Sequence, residues 1–266
     1  AQHWSLLLRE WVEREPNVEL LMNTEAYAVE MDGPRLRGVT ARTLESGLTR
    51  HITAPLFLDS SGDSVLGMAA GADYRVGREG RAEFGESLAP DRPDRKTMGS
   101  SIAFRAEDMG RPVPFEPPPW AMRFAHDADF PFRPHGNPRH GWWWLEYGGE
   151  RDTVADNEAI YRTLLRLLFG VWDHVKNHGD HGAATYAITW ISSLPAKRES
   201  YRLMGDYLLT QRDVQDHPAF PDAVAYGGWP IDLHPPEGFF AKGHPGATPP
   251  IVFPGLYNLA VIQHQD

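Results

Sequence analysis

The chain has 266 residues, 41% of them hydrophobic and 11% aromatic, with 26 lysines and arginines against 36 aspartates and glutamates and no cysteine. This is enough apolar material for one large or two modest cores, while a formal net charge of -10 excludes the basic footprint that phosphate neutralisation of a nucleic acid demands. No window approaches the run of about 18 apolar residues that a bilayer span needs, and without cysteine neither a disulfide framework nor a thiolate metal site or nucleophile can form.

Trp4, Leu7, Leu8 and Trp11 recur at helical spacing until Pro16 ends the run, which predicts a helix at the very start of the chain. Such an opening reads as a sequence whose N-terminal portion lies elsewhere. Val18 to Met31 favours extended structure, Asp32-Gly33-Pro34 forms a turn, and Leu36 to Arg42 and Arg50 to Leu58 alternate as strands about the Ser46-Gly47 turn; together they predict a three-stranded meander. The last strand runs into Asp59-Ser60-Ser61-Gly62-Asp63 and then the small apolar residues from Val65 to Ala72. Two readings of that turn stay open. An aspartate there caps the following helix, or the free backbone N–H groups face a diphosphate or an anionic ring edge, with small residues allowing close approach. Prolines and glycines cluster between residues 110 and 150 and from 221 to 255, predicting long ordered loops anchored by tryptophans. From Asn157 to Lys176, the residues Ile160, Leu164, Leu167, Leu168, Val171 and Val175 share one face of a long amphipathic helix. Tyr201 to Gln211 suits strand or helix equally.

The helix, the meander and the strand ending in Asp59-Ser60-Ser61-Gly62-Asp63 resemble the central stretch of flavoproteins with a glutathione-reductase-type FAD domain. Ala72 to Pro90, Lys197-Arg198-Glu199-Ser200, Gly205 to Thr210 and Gly227 to His234 are similar to the bacterial FAD-dependent oxidoreductase family, and the likeness runs from about residue 4 to about 257. It implies FAD as cofactor, with Asp59, Ser60, Ser61, Gly62 and Asp63 at the flavin. It also implies a mixed α/β (α+β) chain in which residues 1–72 form part of a Rossmann-like FAD domain and 73–266 a substrate domain with a mixed or antiparallel sheet. Two family features are missing from the 266 residues: the Gly-x-Gly-x-x-Gly turn that seats the pyrophosphate, and the Ala-Gly-Arg segment expected after Leu256-Tyr257-Asn258. The sequence therefore reads as incomplete at both ends, with FAD affinity below that of the whole fold.

Four other groupings bear on chemistry. Asp232 and His234 alternate on one face of an extended segment, as a carboxylate–imidazole pair that removes a substrate proton would; a loop-pinning hydrogen bond is the plainer alternative. Arg198 and Glu199 suit an anionic substrate or an ion-pair network beside the flavin. Trp142-Trp143-Trp144-Leu145-Glu146 suits a sugar-stacking wall with a carboxylate, or two core tryptophans and one loop anchor. His174, His178 and His181, with Asp173, Asp180 and Glu158 nearby, have the spacing of a metal site, but the simpler reading is a solvated polar helix end with Gly179 as its stop, so no metal is assigned. The function expected is hydride transfer between a small-molecule substrate, carbohydrate-like on the strength of the tryptophans, and flavin. The alternative is a non-enzymatic module that binds carbohydrate or a partner through aromatic loops. Sequence sets neither compartment nor oligomeric state.

Overall fold

The computed structural model describes residues 2–216, 218–221, 223 and 231–246. The chain divides into two compact units, Ala1–Asp73 and Tyr74–Asp266. It is of mixed α+β class, with several small antiparallel sheets.

The first unit opens with helix α1 (Gln2–Arg14). Three strands follow, β1 (Thr24–Asp32), β2 (Arg35–Thr43) and β3 (Thr49–Thr53), as an antiparallel meander in that order. Gly33 (φ 57°) and Gly47 (φ 68°) take the positive φ that the two hairpin turns require. The third strand is shorter than its apolar run predicts. Pairing ends at Gly38 opposite Thr53, and Pro55 lacks the N–H that would continue the ladder. Residues 54–64 are irregular, leaving Leu56 77% and Leu58 83% exposed; the buried strand expected before Asp59 is not formed. Helix α2 (Val65–Ala69) closes the unit.

In the second unit β4 (Tyr74–Val76) precedes the short helix α3 (Arg81–Phe84), and then come β5 (Ser100–Ser101), β6 (Phe104–Asp108) and β7 (Glu146–Tyr147). Helix α4 (Asn157–Asn177) is followed by β8 (Tyr186–Ile191), β9 (Tyr201–Leu203) and helix α5 (Gln211–Asp216). The strands pair antiparallel as β4–β9, β5–β7 and β6–β8. The ambiguous stretch after Tyr201 is thus strand at its start, with a helix beginning only at Gln211.

The core forms where α4's apolar stripe meets β6, β7 and the aromatic loops. Ile160, Leu164, Leu167, Leu168 and Val171 are fully buried, and pack with Ile102, Phe104, Trp142, Trp144, Phe130 and Phe239. Trp142 and Trp144 are therefore core residues, not a stacking wall, and of the three only Trp143 is exposed. The end of α4 is not solvated as the sequence suggests, since Asp173 and His174 are buried there.

Candidate functional site

Three of the four candidate catalytic residues meet at Glu146 in the second unit. The local pairing explains why. Ser101 lies opposite Glu146 across β5–β7 and exchanges backbone hydrogen bonds of 3.0 and 2.7 Å with Ala196 on its other side. Glu146 and Arg198, two residues beyond Ala196, are thereby set around one serine. The Arg198 guanidinium donates to Ser101 Oγ at 3.2 Å and lies 3.4 Å from Glu146 Oε2. Asp232 and His234, two residues apart on an extended segment, approach from the far side of the chain. His234 Nδ1 is 2.8 Å from Glu146 Oε2, and Nε2 is 3.1 Å from Asp232 Oδ2. The imidazole is clamped between two carboxylates and capped by Trp143, whose ring stands edge-on at 5.3 Å.

A glycine makes this approach feasible. Gly238 (φ 56°) packs so closely on β7 that a Cβ there would sit 2.3 Å from the carbonyl oxygen of Glu146. Any side chain at Gly238 would push the segment carrying Asp232 and His234 off the strand that carries Glu146.

Glu146 is 2% exposed, and its Oε1 takes no well-formed hydrogen bond among the described residues. Burial pushes its carboxyl above the ordinary value of 4.5, and the nearby Arg198 and His234 offset this only in part. The charged form is disfavoured in the folded protein, so this carboxyl favours folding below its ordinary value and costs stability as pH rises through its raised folded value. Glu146→Gln is expected to flatten the loss of stability between those two pH values. Denaturation midpoints measured across that range read this out; a slope equal to that of the wild type would contradict the raised carboxyl.

Asp232 and His234 line a cleft of about 770 Å³ whose walls also carry Arg78, Glu79 and Arg202. The charged segment after Ala72 faces this cleft as an ion-pair network: Arg202 bonds Glu79 at 2.9 Å and Arg78 bonds Asp94 at 2.5 Å. Glu199 also reaches the cleft, but its Oε1 accepts from the Met98 N–H at 2.7 Å. It anchors the irregular segment before β5 and does not join the His234 cluster. Gly227 to Pro230, and everything after Gly246, lie outside the described residues.

The five candidate cofactor residues sit together in the first unit, 59–63. Asp59 accepts from the Ser61 N–H and the Gly67 N–H, both at 2.9 Å, and Ser61 Oγ accepts from the Val65 N–H at 2.9 Å. Burial works to raise the Asp59 carboxyl, but donors from Gly67, Ser61 and Leu66 outweigh it and hold it below its ordinary value. Asp59 thus engages both the turn and the start of α2, whose N-cap position is Ser64. At the start of α2, a helix of five residues, the Val65 and Gly67 N–H groups are spent on the turn itself. Ser60, Ser61 and Gly62 remain exposed. Gly62 has φ 79°, and a Cβ there would meet nothing within 4 Å, so a flat group can approach the backbone closely at this point.

The family model for FAD dependent oxidoreductase matches residues 1–254. No curated protein and no solved structure matches the chain.

Proposed function

The chain belongs to the FAD-dependent oxidoreductase family, and from that premise we propose that its second unit binds a small polar substrate in the cleft beside His234 and handles the substrate proton while electrons pass to or from the flavin. The observation that carries this reading is the His234 imidazole held between Glu146 and Asp232 at the cleft wall, with Arg198 beside them. Asp232, on the cleft side, receives a hydroxyl or amine proton. His234 passes it inward, and Glu146 holds it, a task suited to a carboxyl whose burial favours the protonated form. Arg198 stabilises negative charge left on the substrate or on Glu146. Trp143 shields the imidazole from water.

FAD, when bound, supplies the hydride-exchanging ring. The residues fit its approach at Ser60, Ser61 and Gly62, on the observation that Gly62 is open above its backbone. Asp59 shapes that turn and does not contact the ring through its carboxylate, both oxygens of which are already engaged; Asp63 lies at the turn's far end. The pyrophosphate finds no Gly-x-Gly-x-x-Gly turn among the 266 residues. These residues alone are accordingly expected to purify with little FAD. Absorbance in the flavin bands after purification tests this, and a stoichiometrically yellow protein would show that the 59–63 turn suffices. The test of the function itself is anaerobic bleaching of flavin added to the protein by small alcohols and amines. A substrate whose bleaching rate tracks the integrity of His234 supports the proposal, and rates indifferent to His234 overturn it.

A further inference from the structure

Three imidazoles and one carboxylate converge at the C-terminal end of α4, away from the Glu146 cluster. His174 lies on the last turns of α4, His181 follows it after Gly179, and Asp127 and His135 come from the loop between β6 and β7. One donor atom from each of the four lies within 4.8 Å of every other. The Nε2 atoms of His174, His135 and His181 stand 2.9, 3.5 and 3.8 Å from the same Asp127 oxygen, Oδ1.

The far side of two rings is fixed. His174 Nδ1 is 3.0 Å from the Phe124 carbonyl oxygen and His135 Nδ1 is 2.7 Å from that of Arg133. A carbonyl only accepts, so each Nδ1 carries a proton and, in the neutral ring, each Nε2 presents a lone pair. Two lone pairs then face a carboxylate oxygen that is also an acceptor. Acceptors aimed at one another are satisfied by a cation between them, and a backbone carbonyl behind each ring is the outer support that orients metal-bound histidines. The third ring, His181, has Nε2 3.1 Å from the His178 carbonyl oxygen, a contact it would exchange for the metal. The loop bearing it is pinned nearby, where Lys176 donates to the carbonyls of Ala183, Ala184 and Tyr186 at 2.9 Å each.

We propose that Asp127, His135, His174 and His181 form a binding site for one divalent transition-metal ion of the zinc class, which staples the 126–135 loop to the end of α4. Three imidazole nitrogens and one carboxylate oxygen make a four-coordinate set suited to zinc or cobalt and poorly suited to calcium or magnesium. A tetrahedron with ligand distances of about 2.1 Å puts donors about 3.4 Å apart, so closing on a metal needs only a modest contraction. His178, the partner suggested by sequence spacing, takes no part. Its Nε2 faces Asp173 at 3.4 Å.

The test uses the full chain without an affinity tag, stripped with a chelator and desalted, then titrated with Co²⁺ and Zn²⁺. The proposal expects one equivalent of either metal, visible Co²⁺ absorption of four-coordinate type, its loss when Zn²⁺ displaces the cobalt, and a rise in melting temperature with metal. His181→Gln and Asp127→Asn change residues that are not in the packed core and are expected to fold by circular dichroism. Each should weaken binding by more than about a hundredfold, beyond the cost typical of losing an outer-shell partner. His178→Gln should bind as the wild type does. Binding below one equivalent in the wild type, equal binding by the Asp127 and His181 variants, or loss of binding in His178→Gln would each overturn the site.

Discussion

His234→Ala is expected to take up as much FAD as the wild type and to slow substrate-dependent flavin reduction by roughly 10²- to 10⁴-fold, the contribution of a positioned general base. Among the described residues the imidazole is the group that bonds both carboxylates, so its removal cuts the path between the cleft and the buried Glu146. Asp232→Asn should fall in the same direction and within the same range, because the amide can keep a hydrogen bond to the ring but loses the capacity to take the substrate proton. Anaerobic single-turnover bleaching of the flavin absorbance measures both. If His234 merely pinned its loop, the alanine variant would melt at lower temperature yet bleach the flavin at the normal rate.

Gly62→Val is expected to weaken FAD binding by at least about tenfold, or about 1.4 kcal/mol, while leaving the meander folded. Two effects combine. At φ 79° a branched residue is strained by about 1–3 kcal/mol, and its side chain would fill the open space above the turn. Gly47→Val separates them. Gly47 also has positive φ and open surroundings, but in the β2–β3 turn, so it carries the strain without the location. FAD fluorescence titration should show Gly47→Val close to wild type and Gly62→Val much weaker; equal losses in the two would assign the effect to strain alone.

The elements most legible in sequence were those with a strong period or a turn that demands glycine. The six apolar residues from Ile160 to Val175 fall on the buried face of α4, and Gly33 and Gly47 mark the two hairpins. The strand before Asp59 was over-read because an apolar run looks alike whether or not a neighbouring strand is there to pair with it, and Pro55 stops the ladder. At the site, the i, i+2 spacing of Asp232 and His234 foretold their pairing, and Arg198 falls beside them. Glu146, 88 residues from His234, was noticed only as the tail of a tryptophan run. Its signal was a lone acid in the apolar stretch from Trp142 to Tyr147, since a carboxylate at a buried strand position requires partners. Glu199 looked equivalent to Arg198, yet successive residues of an extended segment point to opposite sides, and it bonds Met98. The histidine spacing at the end of α4 pointed to His178 and His181, of which His181 joins His174, while Asp127 and His135 come from a loop far earlier in the chain, beyond the reach of any periodicity.

The central claim, that flavin seats at the Ser60–Gly62 turn and proton handling belongs to the His234 cluster, is tested most directly by hydrogen–deuterium exchange with and without saturating FAD. The account predicts slowed exchange in peptides covering residues 59–67 and unchanged exchange in the β1–β2 hairpin, with the same pattern in His234→Ala. Saturation with FAD that leaves residues 59–67 unprotected, or protection that disappears in His234→Ala, would contradict it.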